Sequence, residues 1–83
     1  MDIHLKKYMV YTDFIESNAD VMLGKPVIKG TRITVALILQ KLSEGATIPN
    51  LIAAYPSLTE MDIKAVLAYA SDVISNESVI NVA

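Results

Sequence analysis

The sequence contains no cysteine, no tryptophan and a single histidine, His4. Without cysteine there can be no disulfide framework and no thiolate metal site, a composition that fits a reducing cytosol. Zinc needs three or four converging ligands, so one histidine near the start of the chain does not predict a metal centre. His4 also has no fixed partner for general acid-base catalysis. We therefore expect neither an enzyme nor a metal or other cofactor.

Long apolar runs are also missing, since stretches such as 35–39 fall far short of the roughly 18 residues that a membrane span needs. With no signal-peptide pattern at the start, the sequence predicts a soluble, cytoplasmic protein without membrane association.

The Gly24-Lys25 pair lacks the other residues of a phosphate-binding loop, so no small-molecule substrate is predicted. The formal net charge is −2. Any binding of DNA must therefore be local, because a strong non-specific binder would carry a basic excess.

The length of 83 residues predicts one domain, 1–83. Hydrophobic residues make up 53% of the chain, above the average of about 45 to 50%. A core this small rarely supplies more than about 3 to 5 kcal/mol unaided. We therefore expect some of the apolar surface to lie in a homodimer interface.

Two β-prone regions precede the predicted helices. Residues 8–14 mix aromatic and β-branched side chains without helical spacing, which predicts a strand or extended arm. The runs 26–28 and 32–33 flank Lys29-Gly30, where the glycine can adopt the positive φ of a tight reversal. We expect a small β-hairpin there, preceded by a short apolar plug at residues 21–23.

Two short helices are predicted in the middle of the chain. The first covers 35–44, begins after Thr34 as its cap and stops at Gly45. The second covers 48–54 and follows Thr47 as its cap. Apolar residues recur at helical spacing in both segments, so each helix should bury one face.

The third helix is the clearest element and runs from the cap Thr59 to about Ser75. Pro56 discourages helical geometry before it, so a short turn joins the second and third helices. Its predicted buried stripe comprises Ile63, Val66, Leu67, Ala70, Val73 and Ile74. The fold class predicted is mainly α: a three-helix helix-turn-helix core, homeodomain-like or winged-helix-like, with a small N-terminal β-hairpin or arm.

In a helix-turn-helix, the second helix of the pair enters the major groove and its early exposed residues face the base edges. On the third helix these DNA-contact candidates are Met61, Lys64 and Ala65. This face carries one cation, and Glu60 can pair with Lys64 four residues later. As a DNA-reading surface it is therefore poor.

A denser basic cluster lies on the predicted hairpin and consists of Lys25, Lys29 and Arg32. These residues could hold phosphates as the wing of a winged helix does. The alternative is a solvated turn in which Arg32 pairs with an acidic residue such as Asp13 or Asp20. The sequence leaves both interpretations open.

Four other residues are candidates for a partner interface. Tyr69 lies off the main stripe of the third helix and could contact a partner or pack on a neighbouring element. Val79, Ile80 and Val82 lie in a tail that is too short to bury them within its own subunit, so it is a frayed end or an interface strand.

The segment GKPVIKGTRI at residues 24–33 resembles the signature of the bacterial domain-of-unknown-function family 433. The resemblance continues through 37–45, YPSLT at 55–59 and the third helix, so it covers a core of about 12–75. It implies an antitoxin-like helix-turn-helix domain, often encoded beside a PIN-like nuclease that would be its toxin partner. Similar proteins would dimerise, bind operator DNA to repress their own synthesis and mask the toxin through an added segment.

Two hypotheses follow from the residues and the resemblance. In the first, the protein is a DNA-binding antitoxin and autorepressor. In the second, it is a homodimeric protein-interaction module of unknown function that does not bind DNA.

Overall fold

The computed structural model describes residues 10–76. Two 3-10 turns, two short strands and three α-helices follow one another in this part of the chain. In order they are a turn at Tyr11–Asp13, β1 (Ile15–Glu16), a turn at Met22–Gly24, β2 (Val27–Ile28), α1 (Val35–Ser43), α2 (Ile48–Ala54) and α3 (Glu60–Ser75). The fold is thus mainly helical, with a small sheet near the N-terminus, as the sequence predicted.

The strand predicted over 8–14 is wrong for its described part. Residues 11–13 instead form a 3-10 turn, closed by the Phe14 N–H, which donates to the carbonyl of Tyr11 at 2.8 Å. The strand begins only at Ile15, whose side chain is buried. Tyr8 and Met9 lie outside the described residues.

The predicted hairpin is correct in its turn and its first strand, whereas its second arm pairs with that strand only through an isolated bridge between Val27 and Thr34. Gly30 has the expected positive φ of 80°, and the N–H of Ile28 donates to the carbonyl of Ile33 at 2.9 Å. Residues 32–33 nevertheless form no strand, because the Thr31 hydroxyl accepts the Ile33 N–H at 2.9 Å and holds the chain in a tighter turn. The strand partner of β2 is β1, antiparallel, with Ile15 opposite Ile28.

The first helix has the predicted cap and nearly the predicted length. The Thr34 side chain accepts the N–H of Leu37 at 3.0 Å, which satisfies one of the free donors at the helix start. The helix ends at Ser43, one residue earlier than predicted. Gly45 follows with φ of 101°, a left-handed conformation typical of a helix terminus.

The second and third helices both begin with a reciprocal capping box. Thr47 accepts the Asn50 N–H at 3.1 Å, and the Asn50 side chain accepts the Thr47 N–H at 3.0 Å. Thr59 and Asp62 make the same pair of bonds at 3.1 and 2.9 Å. Each box satisfies two hydrogen-bond donors, which explains why both helices start where the sequence predicted.

The core lies where α3 packs against α1, α2 and β1. Within residues 10–76, the buried side chains are all apolar: Ile15, Val27, Ile28, Val35, Ile38, Leu51, Leu58, Ile63, Ala65 and Val66. No helix in this part of the chain is long and apolar enough to span a membrane.

The predicted stripe of α3 is only half correct. Ile63 and Val66 are fully buried, but Leu67, Val73 and Ile74 are exposed by 45, 48 and 67%. The covered face is rotated toward Ala65, which lies off the predicted stripe and is fully buried, so Leu67 is left at the edge of that face. Val73 and Ile74 lie near the end of α3, which packs beside the Tyr11–Asp13 turn through Tyr69. The apolar pattern therefore continues beyond the part of the helix that the core covers.

The apolar plug predicted at residues 21–23 is also wrong. Val21 is half-buried, whereas Leu23 is 91% exposed. The backbone explains the difference, because Met22 and Leu23 adopt positive φ values of 48° and 58° and turn the chain away from the core.

Candidate nucleic-acid interface

Two of the basic residues of the predicted hairpin, Lys29 and Arg32, lie in the turn that follows β2, and the third, Lys25, lies just before that strand. Lys25, Lys29 and Arg32 are all exposed. Residues 21–33 contain these three cations and no acidic residue. The turn is fixed to the rest of the domain by the Lys29 N–H, which donates to the Phe14 carbonyl at 2.8 Å. The cations therefore project from a supported turn.

Arg32 lies in an open cleft of about 590 Å³. The cleft is lined by residues from three parts of the chain: Glu16, Val21, Gly30, Thr31, Arg32, Ile33 and Ser57. Ser57 belongs to the turn between α2 and α3, which the sequence predicted as the turn of a helix-turn-helix. The fold thus places Arg32 beside the turn between the two helices, although Ser57 follows Arg32 by 25 positions in sequence.

The acidic partners proposed for Arg32 are not engaged with it. Within residues 10–76, neither Asp13 nor Asp20 lies within 4 Å of the guanidinium group, and the ion pair found in this range is Lys64 with Glu60. Glu16 lies in the same cleft as Arg32, where its carboxylate accepts the Gly30 N–H at 3.3 Å. The guanidinium of Arg32 therefore faces the cleft without a salt bridge in the described part of the chain.

The predicted reading face of α3 offers little to DNA. Met61 is 47% exposed, and the Lys64 ammonium lies 3.5 Å from the Glu60 carboxylate. Ala65 is fully buried, so its prediction as a DNA contact is wrong. It packs into the same core cluster as Ile15, because β1 covers a side of α3 that helical spacing alone marks as peripheral.

Tyr69 packs within its own subunit. Its ring meets the ring of Tyr11 edge to face, with centroids 5.4 Å apart, and Tyr11 also donates a hydrogen bond to Asp72. That hydrogen bond to Asp72, together with partial desolvation, raises the pKa of the Tyr11 hydroxyl above its ordinary value. The contact of Tyr11 with Tyr69 and Asp72 links the start of the described chain to the last part of α3. The other interface candidates, Val79, Ile80 and Val82, lie outside the described residues.

Sequence reasoning missed the exposed apolar residues. From their sequence, Met22 and Leu23 are predicted to form a buried plug. The local signal for a left-handed turn is the glycine that follows them, Gly24, which has a positive φ of 83°. On α3, Leu67 and Ile74 fit the helical spacing of the buried stripe. Local sequence does not show which part of that stripe other elements of the fold cover.

These features define a small, mainly helical domain with a two-stranded antiparallel sheet and a basic turn. The family model for DUF433, a protein family of unknown function, matches residues 15–70, and the chain belongs to this family. It is similar to the crystal structure, at 2.00 Å resolution, of a DUF433 member protein from Anabaena variabilis ATCC 29413. The two share 27% sequence identity with a TM-score of 0.72, over 93% of this chain and 76% of the other. No curated protein matches the sequence.

Proposed function

We propose that this protein is an antitoxin-like helix-turn-helix protein that binds operator DNA as a homodimer, represses its own synthesis and pairs with a PIN-like nuclease toxin. In this proposal α2 and α3 are the helix-turn-helix, and the turn after β2 acts as a wing. The main support is that Arg32 shares a cleft with Ser57, so that one cation borders the turn between the two helices. The toxin partner and the repression rest on the family resemblance.

The basic turn, rather than α3, is the proposed phosphate contact. Lys64 already has Glu60 as a partner at 3.5 Å, and Glu60 and Asp62 in the first turn of α3 would repel phosphate groups. The Glu16 carboxylate lines the same cleft as Arg32, but within residues 10–76 none of Lys25, Lys29 and Arg32 forms a salt bridge as Lys64 does. Contacts to phosphates position a protein on DNA without reading sequence, so base selectivity would come from the few neutral side chains near the cleft.

Gel-shift titration with duplex DNA from upstream of its own gene, at several salt concentrations, tests this proposal. If the three cations each neutralise one phosphate, changing all three to alanine should flatten the slope of log K against log salt by about 2.7. Lys41→Ala, a lysine on α1 outside the basic turn, is the matched control and should leave the slope unchanged. Binding that disappears at physiological salt, or an unchanged slope in the triple variant, would contradict the proposal.

The alternative is a homodimeric interaction module without DNA binding. It is favoured by the exposed apolar side chains Leu67, Val73 and Ile74 of α3, which would be suited to a protein surface. This alternative predicts no specific binding of any upstream duplex, together with concentration-dependent association in sedimentation.

A further inference from the structure

Leu23 is the most exposed large apolar side chain in residues 10–76, with 91% of its surface open to solvent. Its neighbour Met22 is 37% exposed. Single exposed leucines are common on protein surfaces, so exposure alone does not indicate a site. What distinguishes Leu23 is the backbone that presents it.

Three consecutive residues, Met22, Leu23 and Gly24, have positive φ values of 48°, 58° and 83°. Residues with a β-carbon rarely adopt this conformation, because the β-carbon comes too close to the following carbonyl oxygen. Hydrogen bonds nevertheless hold the turn on both sides of Leu23: Gly24 N–H to Val21 at 3.0 Å, and Lys25 N–H to Met22 at 3.1 Å. The leucine thus projects from a strained but well-bonded turn, an arrangement often found at functional sites.

The strained turn adjoins the basic surface. Lys25 follows it directly, and Val21 lines the same cleft as Arg32 and Ser57. No acidic residue occurs in residues 21–33. An apolar tip two residues before Lys25, beside a cleft that holds Arg32 together with Glu16, fits a polyanion with an apolar interior better than an ordinary protein pocket. One leucine also buries too little surface to hold a protein on a lipid bilayer.

We infer that Leu23 is a wedge that enters a base step of duplex DNA while the neighbouring cations hold the phosphates. The inference rests on the proposed DNA binding and adds deformation of the duplex to it. Leucine and methionine are among the side chains that proteins insert between base pairs, which partly unstacks them and kinks the helix. Pyrimidine-purine steps unstack most easily, so a TA or CA step is the expected target.

The test uses the full chain and duplexes from upstream of its gene, with 2-aminopurine replacing adenine at successive TA steps and a dye pair at the duplex ends. Binding of the unaltered protein should raise the 2-aminopurine fluorescence at one step and shorten the end-to-end distance. Leu23→Gly should abolish most of both signals. Affinity should fall by less than about tenfold, because the cost of unstacking offsets burial of the leucine.

Two controls separate the wedge from other causes. Glycine tolerates positive φ, so Leu23→Gly should not lower the unfolding temperature, and loss of signal cannot then be assigned to unfolding. Val10→Ala shortens another exposed apolar side chain and should leave both DNA signals intact. The salt slope should not change in Leu23→Gly, because leucine neutralises no phosphate, whereas Lys25→Ala should flatten it by about 0.9.

The outcomes distinguish this inference from the proposed function. Specific binding without a fluorescence rise, or a rise that Leu23→Gly preserves, would overturn the wedge and leave DNA binding standing. Failure of the unaltered protein to bind any upstream duplex would overturn both. If Leu23→Gly instead abolished binding to phosphatidylserine vesicles and left the DNA signals intact, the leucine would belong to a membrane contact and the wedge would be wrong.

Discussion

Residues 10–33 and residues 34–76 form two regions that are built in different ways. The second region consists of three helices, each started by a threonine whose side chain accepts a backbone N–H. The first has two strands of two residues each, joined and extended by tight turns. Four of the five positive φ values in residues 10–76 occur in the first region.

The two regions contribute different properties: the helical region contributes most of the stability, and the first region carries the exposed cations and Leu23. Seven of the ten buried apolar side chains belong to the helical region, so that region supplies most of the hydrophobic stabilisation. The first region contributes Ile15, Val27 and Ile28 to the core and carries the three exposed cations and Leu23. Its strained turn and its charges lie outside the core, as the proposed binding role requires.

The largest change in the free energy of unfolding is expected from a substitution in the helical region. Ile63 is fully buried in the core, so Ile63→Ala should lower the free energy of unfolding by about 2 to 5 kcal/mol, through lost burial and the cavity left behind. Leu67→Ala, on the uncovered part of the same helix, should change it by about 0.5 kcal/mol or less. Urea denaturation followed by circular dichroism measures both. Equal losses in the two variants would mean that Leu67 is covered in solution.

A smaller change in the free energy of unfolding, of opposite sign, is expected from a substitution in the first region. Leu23→Gly relieves a left-handed residue and should raise the free energy of unfolding by about 1 kcal/mol. The reverse change at the next position, Gly24→Ala at φ of 83°, should lower it by a similar amount. A β-carbon there would meet its nearest atom at 3.9 Å, so the loss would reflect the backbone rather than a clash. Destabilisation by Leu23→Gly would show that the leucine has a packing role.

The smallest effect concerns the contact between the two regions. The pKa of Tyr11 is raised above about 10 by its hydrogen bond to Asp72, so the unfolded chain loses this proton at lower pH than the folded protein. The stability from this group is therefore present below pH 10 and is lost as pH rises through the folded pKa. Tyr11→Phe should reduce the fall in unfolding temperature between pH 9 and 11, with Tyr55→Phe as a control. An identical fall in Tyr11→Phe would contradict the assignment.

The helices could be predicted from sequence because their signals are local. Thr47 with Asn50 and Thr59 with Asp62 place donor and acceptor three residues apart, and this spacing fixes a helix start without reference to the rest of the chain. The burial of Ala65 could not be predicted in this way. It depends on β1 lying against α3, a contact between residues about 50 positions apart in sequence.

The sheet and the cleft were harder to predict for the same reason. A strand of two residues has no measurable alternation, so β1 could not be distinguished from the aromatic residues before it. The exposure of Lys25, Lys29 and Arg32 was predictable from their place around a glycine turn. That Arg32 would share a cleft with Ser57 depends on tertiary packing, which spacing does not encode.

The hydrogen bond from Tyr11 to Asp72 joins residues 61 positions apart, so the two ends of the described chain lie close together. A short flexible linker could therefore connect residue 76 to residue 10, and a new opening could be made at Gly45, where an added β-carbon would have no neighbour within 4 Å. Such a circular permutant would keep the same core while moving the basic turn behind α3 in chain order. The domain could then be inserted into a loop of another protein with both of its connections on one side.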